Sequence, residues 1–275
     1  MNPLLAMLAK RRTAPALVTF DFPTFFGARD GFVICGYPGF SDFFTDSAGT
    51  TPALFSWDPV GRQTDVSGNA NHPIQTVSMN KPAVHRGPYT GGPPNTQIFT
   101  SKPIVKQLLG GLSGSGPGLW LESPYQITND TTIISINVTT GFTNPHWHAG
   151  SYMAFTDYVG NGAGYDMARL SSFPGGDIFV TDVITGGSWA MTDTEIKDIG
   201  GGDIEVTLRA ANSLATSVAS TTVTRTGSIT PAPIRTGAGS GPTNSPFLMA
   251  IDGQLSAGER TTIYNLINDM FTDYL

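Results

Sequence analysis

Cysteine is almost missing from this sequence: Cys35 is the one thiol in 275 residues. An intramolecular disulfide is therefore excluded, and the chain reads as one assembled in a reducing cytoplasm, not as a stapled secreted module. Charge is scarce too, at 13% of residues, and its balance is acidic, with a formal net charge of -6. The clustered Lys and Arg of a phosphate-binding surface are absent, so nucleic acid is not an expected partner. No apolar run approaches the roughly 20 residues of a spanning helix, so no membrane span is expected. The apolar stretch at residues 4 to 8 is followed, not preceded, by Lys10, Arg11 and Arg12 and has no small-residue cleavage site, so it does not read as a signal peptide. No repeat of fixed period is present, which argues against a solenoid or propeller. Neither a Gly-x-Ser-x-Gly elbow nor a phosphate-cradling glycine pattern occurs, and nothing beside Cys35 would activate its thiolate. An enzyme is not expected.

What the chain does have is Gly (33), Pro (20) and many short β-branched segments, the composition of short strands joined by tight turns. Thr131 to Thr139 is the strongest strand, with Ile134, Ile136 and Val138 alternating against polar neighbours, and it should be central. Leu17 to Phe22, Gly31 to Cys35, Ser151 to Tyr158, Gly164 to Leu170, Asp177 to Ile184, Ser188 to Thr192, Asp203 to Ala210, Thr216 to Arg225 and Phe247 to Ile251 are further strand candidates. The expected fold is an all-β antiparallel sandwich.

Two helices break that pattern. Ser256 and Glu259 form a capping box, and Ile263, Leu266, Ile267, Met270, Phe271 and Tyr274 lay one apolar stripe along the helix that follows. Asn2, Pro3 and the cations at 10 to 12 fit the ends of a short helix over residues 3 to 12. From Leu17 to Phe44 the chain is dense in phenylalanine, which makes either a core layer or a contact surface. Leu4, Leu5, Leu8, Phe20, Phe22, Phe25 and Phe26 are the candidate assembly contacts.

Thr64 to Pro82 contains Asp65-Val-Ser-Gly-Asn69-Ala-Asn71 followed by Asn80-Lys-Pro, and Phe247 to Tyr264 contains Leu255-Ser-Ala-Gly-Glu-Arg260. Together, in this order, the two segments resemble the concanavalin A-like lectin/glucanase group in its laminin-G-like jelly-roll form, over about residues 51 to 275. The resemblance implies two packed antiparallel sheets, with residues 1 to 50 outside them as an N-terminal anchoring segment. It also implies a role met in bacteriophage particles: a non-enzymatic virion component of decoration, tail or fibre type, assembled in the host cytoplasm. Its expected partners are other virion proteins and further copies of itself. The alternative is a carbohydrate-binding adhesion module that recognises a host-surface glycan.

Candidate chemistry is thin. Trp147, Tyr152, Tyr158 and Tyr165, with Asp157 and Asn161, offer rings and polar groups for a glycan platform, although Trp and Tyr also fill sandwich cores. Asp65, Asn69 and Asn71 could offer oxygens to calcium, which some laminin-G-like domains bind, but a calcium site takes 6 to 8 oxygen ligands with several acids. No other cofactor is expected. His146 and His148 would share one side of a strand, without an evident third metal ligand. Asp193 and Glu195 would share a strand face as a glycosidase acid pair must, but they depart from the family's Glu-x-Asp pattern and precede Gly200 to Gly202, so a solvated turn is expected there.

Overall fold

The computed structural model describes residues 18–37, 39–54, 58–86, 106–109, 120–138, 144–157, 167–181, 189–211, 218–236 and 246–271. Its strands are, in chain order, β1 (Gly31–Cys35), β2 (Phe43–Phe44), β3 (Arg62–Gln63), β4 (Ala83–Arg86), β5 (Lys106–Leu109) and β6 (Leu121–Ile127). Then follow β7 (Thr131–Val138), β8 (Asn144–Ala149), β9 (Tyr152–Asp157), β10 (Met167–Ser171) and β11 (Ile178–Val180). The last are β12 (Trp189–Gly200), β13 (Asp203–Ala211), β14 (Ala219–Thr226), β15 (Ala232–Thr236) and β16 (Phe247–Asp252). Two helices flank them, α1 (Phe22–Phe26) and α2 (Ala257–Phe271). The expected helix at residues 3 to 12 lies outside the described residues, with Leu4, Leu5 and Leu8.

Two six-stranded antiparallel sheets form the body, one in the order β1-β16-β7-β12-β13-β14 and the other β11-β10-β9-β8-β15-β6. The expected sandwich is therefore the observed architecture. Its inner layer is apolar and dry: Phe32, Ile133, Ile196, Val206, Leu208 and Leu248 from the first sheet meet Ile127, Trp147, Leu170, Ile178 and Ile234 from the second. β7 sits inside the first sheet, between β16 and β12, as its alternation predicts.

The first sheet is covered on its other face as well, which is why β1 reads Gly-Phe-Val-Ile-Cys with every residue buried. Val33, Cys35, Ile134, Ile136, Met191, Phe247, Met249 and Ile251 point outward into a second apolar layer closed by α1 and α2. The capping box of α2 is formed: Ser256 N–H donates to Glu259 Oε2 at 2.8 Å, and Glu259 N–H donates back to Ser256 Oγ at 3.2 Å. Ile263, Leu266, Ile267, Met270 and Phe271 are its buried stripe; Tyr274 lies outside the described residues.

Residues near Phe22 differ from expectation. The strand read over Leu17 to Phe22 is not formed where it is described: residues 18–21 carry no regular structure and α1 starts at Phe22, where Asp21 caps the first turn through a 3.1 Å bond from Thr24 N–H and Pro23 supplies a preset helical φ. Phe22 and Phe26 are 1% exposed and pack into the second layer, with Phe20 and Phe25 against it. Of these four candidate assembly contacts, Phe22 and Phe26 are buried against the first sheet of this same chain, while Phe20 and Phe25 pack against the same layer and stay partly exposed. β1 then joins β16 over five register pairs. Gly31 opens that pairing at φ +146°, where a Cβ would lie 2.2 Å from the Ala250 carbonyl oxygen, so only glycine fits. Among the described residues, no helix is long and apolar enough to cross a membrane.

Candidate functional site

The aromatic platform expected around residues 147 to 165 is not presented to solvent where it is described. Trp147 is 1% exposed and Tyr152 is 7% exposed. Both occupy inward positions of β8 and β9, alternating with Ala149 and Ala154, and the small residues leave room for the rings between the sheets. The Tyr152 hydroxyl accepts a 3.0 Å bond from Thr230 N–H, and its ring lies 5.2 Å from that of Phe173. The Asp157 backbone pairs with Met167; its side chain, like Tyr158, Asn161 and Tyr165, lies outside the described residues.

Asp65, Asn69 and Asn71 are brought together, but as a clasp. Asp65 Oδ1 accepts from the backbone N–H groups of Val33 and Ser67, each at 2.8 Å, and Oδ2 accepts from Ser67 Oγ at 2.8 Å and Asn71 N–H at 3.0 Å. The amide groups of Asn69 and Asn71 donate to the Gly31 carbonyl at 3.1 and 2.8 Å. The carboxylate lone pairs are filled by donors, where calcium would need free oxygens. This corrects the calcium reading: the stretch holds a loop against the edge strand β1. Among the described residues, no cluster of His, Cys, Asp or Glu could hold a metal.

Asp193 and Glu195 also need correction. They are not in a solvated turn but in the middle of β12, facing α2. Arg260 donates to both carboxylates, Tyr264 donates to Asp193, and Arg209 Nη1 donates to Glu195 Oε2 at 2.9 Å. The two acids do share a strand face, but guanidinium groups hold them beneath the helix.

A groove of about 770 Å³ runs instead over the outer face of the second sheet. Arg62 of β3 bridges to Ile74, Ile74 bridges to Glu122 of β6, Glu122 registers with Arg235 of β15, and Arg235 with His148 of β8. Directly opposed residues in an antiparallel ladder point to the same side. The five side chains therefore form one row across five adjacent segments. With neighbouring strands about 4.8 Å apart, Arg62 and Arg235 are separated by about 14 Å at the backbone. The first four of these residues line the groove, together with His72, Gln75, Trp120 and Gln126.

The groove wall is fixed from below. Buried Gln75 donates through Nε2 to the Trp120 carbonyl at 3.2 Å and accepts from Val77 N–H at 3.0 Å, tying the tryptophan to the loop. Arg235 Nε donates to Glu122 Oε2 at 2.6 Å, and its guanidinium lies 4.9 Å from the Trp120 ring centroid, a cation–π contact. Ile74 and Val77 stand exposed in the lining. Only Glu122 contributes a carboxylate among the described residues that line the groove.

His72 and His148 are the titratable rings here. Burial, reinforced by Arg62, pushes the His72 imidazole below its ordinary value, against a smaller upward pull from Asp65; burial and Arg235 do the same to His148. Both groups bind protons more weakly folded than unfolded, so their contribution is complete above the ordinary imidazole value of about 6.5 and is lost as pH falls through the lowered values. Replacing His148 by Gln removes that term. In urea titrations the stability gap between wild type and His148→Gln should move in the variant's favour between pH 7 and pH 5; a constant gap would contradict the assignment.

No protein-family profile matches the chain, and no curated protein matches it. Among solved structures, an arabinofuranosidase complexed with arabinofuranosyl-α-1,2-xylobiose superposes with a TM-score of 0.50 at 12% identity, over 78% of this chain and 51% of that one. A GH54 α-L-arabinofuranosidase soaked with a cyclic sulfate inhibitor gives a TM-score of 0.49 at 12% identity over the same shares. The chain thus spans about half the length of these enzymes. At such identity the first likeness shows the fold alone, and the second adds nothing to it. This finding goes against the virion expectation: the solved structure that shares the fold is an arabinofuranosidase, not a particle component.

Proposed function

We propose that the groove across Arg62, Ile74, Glu122 and Arg235 binds carbohydrate. The observation that carries this reading is the lining itself: a Trp120 ring and an exposed Ile74 beside guanidinium, imidazole and amide groups in one concave feature. Sugars have an apolar C–H face and a rim of hydroxyls, and a pocket of mixed apolar wall and few convergent polar groups matches both. The arabinofuranosidase that shares the fold was solved with a branched xylobiose, which makes plant-type oligosaccharides the first ligands to test. Glycan recognition was the sequence's second expectation; its site moves from residues 147 to 165 to this groove.

Binding is favoured over cleavage because glycoside hydrolysis places two carboxylates on one bond, and Glu122 is the single carboxylate among the described residues that line the groove. Calorimetry against arabinoxylan, xylan, β-glucan and pectic oligosaccharides tests the proposal. Trp120→Ala is expected to weaken binding at least about tenfold, the loss of one aromatic anchor. Unchanged affinity in that variant would remove the groove from consideration. Released reducing sugar that disappears in Glu122→Gln would replace binding with catalysis.

A further inference from the structure

The charged groups among the described residues that line the groove are two guanidiniums and one carboxylate, while its amides and hydroxyls supply donors and acceptors alike, among them Asn80 Oδ1, buried without a partner. Arg62 spends Nη1 on the Ala48 carbonyl at 2.9 Å, while its Nε–H is buried without a partner. Arg235 spends Nε on Glu122, and its two Nη groups make no hydrogen bond to the described residues. His72 Nδ1 accepts from Asp65 N–H at 3.0 Å, so in the neutral ring the proton sits on Nε2, which has no acceptor among the described residues. Two guanidinium groups thus stand against one carboxylate, in a protein whose formal net charge is -6. Asp46, in the segment that also supplies Ser47 to the lining, has its oxygens taken by Thr50 and Thr51.

Unfilled donors beside a charged wall select a ligand that brings acceptors and negative charge. We infer that the groove takes a carboxylate-bearing oligosaccharide, a chain of uronic acid units, with its carboxylates on the Arg62 and Arg235 positions. The inference rests on the carbohydrate reading of the same groove. A span of about 14 Å between the two arginines, three strand steps, suits a short oligomer and not a single sugar.

The probes are oligogalacturonate, its fully methyl-esterified form, a sulfated galactan oligomer and a neutral xylo-oligosaccharide, each titrated by calorimetry at low and high salt. Oligogalacturonate is expected to bind at least about tenfold tighter than its methyl ester, with the advantage shrinking as salt rises. Arg62→Gln should erase most of that advantage. Because Arg62 also holds the Ala48 loop, Gln126 supplies a second pair of variants: it is exposed on β6, lines the groove, and its side chain makes no hydrogen bond to the described residues. Gln126→Glu should lower the ratio of oligogalacturonate to methyl-ester affinity several-fold, and Gln126→Lys should raise it. Equal affinity for acid and ester overturns the inference and leaves the carbohydrate reading standing. Tighter binding of the sulfated oligomer overturns the carboxylate assignment. Failure of all four probes, the neutral one included, overturns both.

Discussion

Replacing Arg260 with methionine is expected to lower folding stability by about 3–5 kcal/mol, the cost of stranding a buried charge by removing its partner. The charge left behind is Asp193, whose side chain is fully buried, while that of Arg260 is only 11% exposed. Tyr264 cannot replace the guanidinium, because a phenol hydroxyl neutralises nothing. Burial and the Asp193 charge already push its ionisation upward, so it stays a neutral donor. Arg209 sits 3.7 Å from Asp193 Oδ1 and is committed to Glu195. If stranded charge is the cause, Asp193→Asn combined with Arg260→Met should cost less than Arg260→Met alone. Urea denaturation of the three proteins decides this, and a double variant worse than the single would point to lost packing of α2.

Truncating Phe22 to alanine is expected to cost about 3–5 kcal/mol, the range for emptying a buried aromatic site. The ring is 1% exposed, lies 4.8 Å from the Phe20 centroid and 6.4 Å from that of Phe247 in β16, and closes the outer layer of the first sheet. Phe40 also packs on it, with ring centroids 5.7 Å apart, and α2 meets this segment through the Arg29–Glu259 ion pair. Phe20→Ala should cost less, because that ring is only partly buried. A Phe22→Ala midpoint within error of wild type would mean that the segment is not packed on the sheet.

The two helices show what a sequence does and does not carry. α2 was legible because everything that makes it is local: the cap at Ser256, the glutamate that answers it and the stripe all lie in the helix Ala257–Phe271 or next to it. β7 was legible for the same reason, as a run of alternating β-branched residues. The acids of β12 were not, because their partners come from β13 and α2, 14 to 71 residues away in the chain, and a strand covered on both faces loses the alternation that marks a strand. The Asp65 loop shows the limit from the other side: its acid and amides were visible, but the Val33 and Gly31 groups that occupy them were not. The groove was missed for a topological reason. Arg62, Ile74, Glu122 and Arg235 belong to separate strands and bridges, and each is ordinary in its own segment. The one local signal was a tryptophan two residues before a glutamate, Trp120 and Glu122, at the mouth of a strand.

The central claim is that carbohydrate enters this groove. Its most direct test is an amide and indole chemical-shift titration of the isotopically labelled protein with the tightest-binding oligosaccharide. The account predicts saturable shifts at the Trp120 indole and at the backbone of residues 62, 74, 122 and 235, with the buried Trp147 indole left in place. Saturable shifts clustered elsewhere, around α2 or the β13–β14 edge, would contradict it.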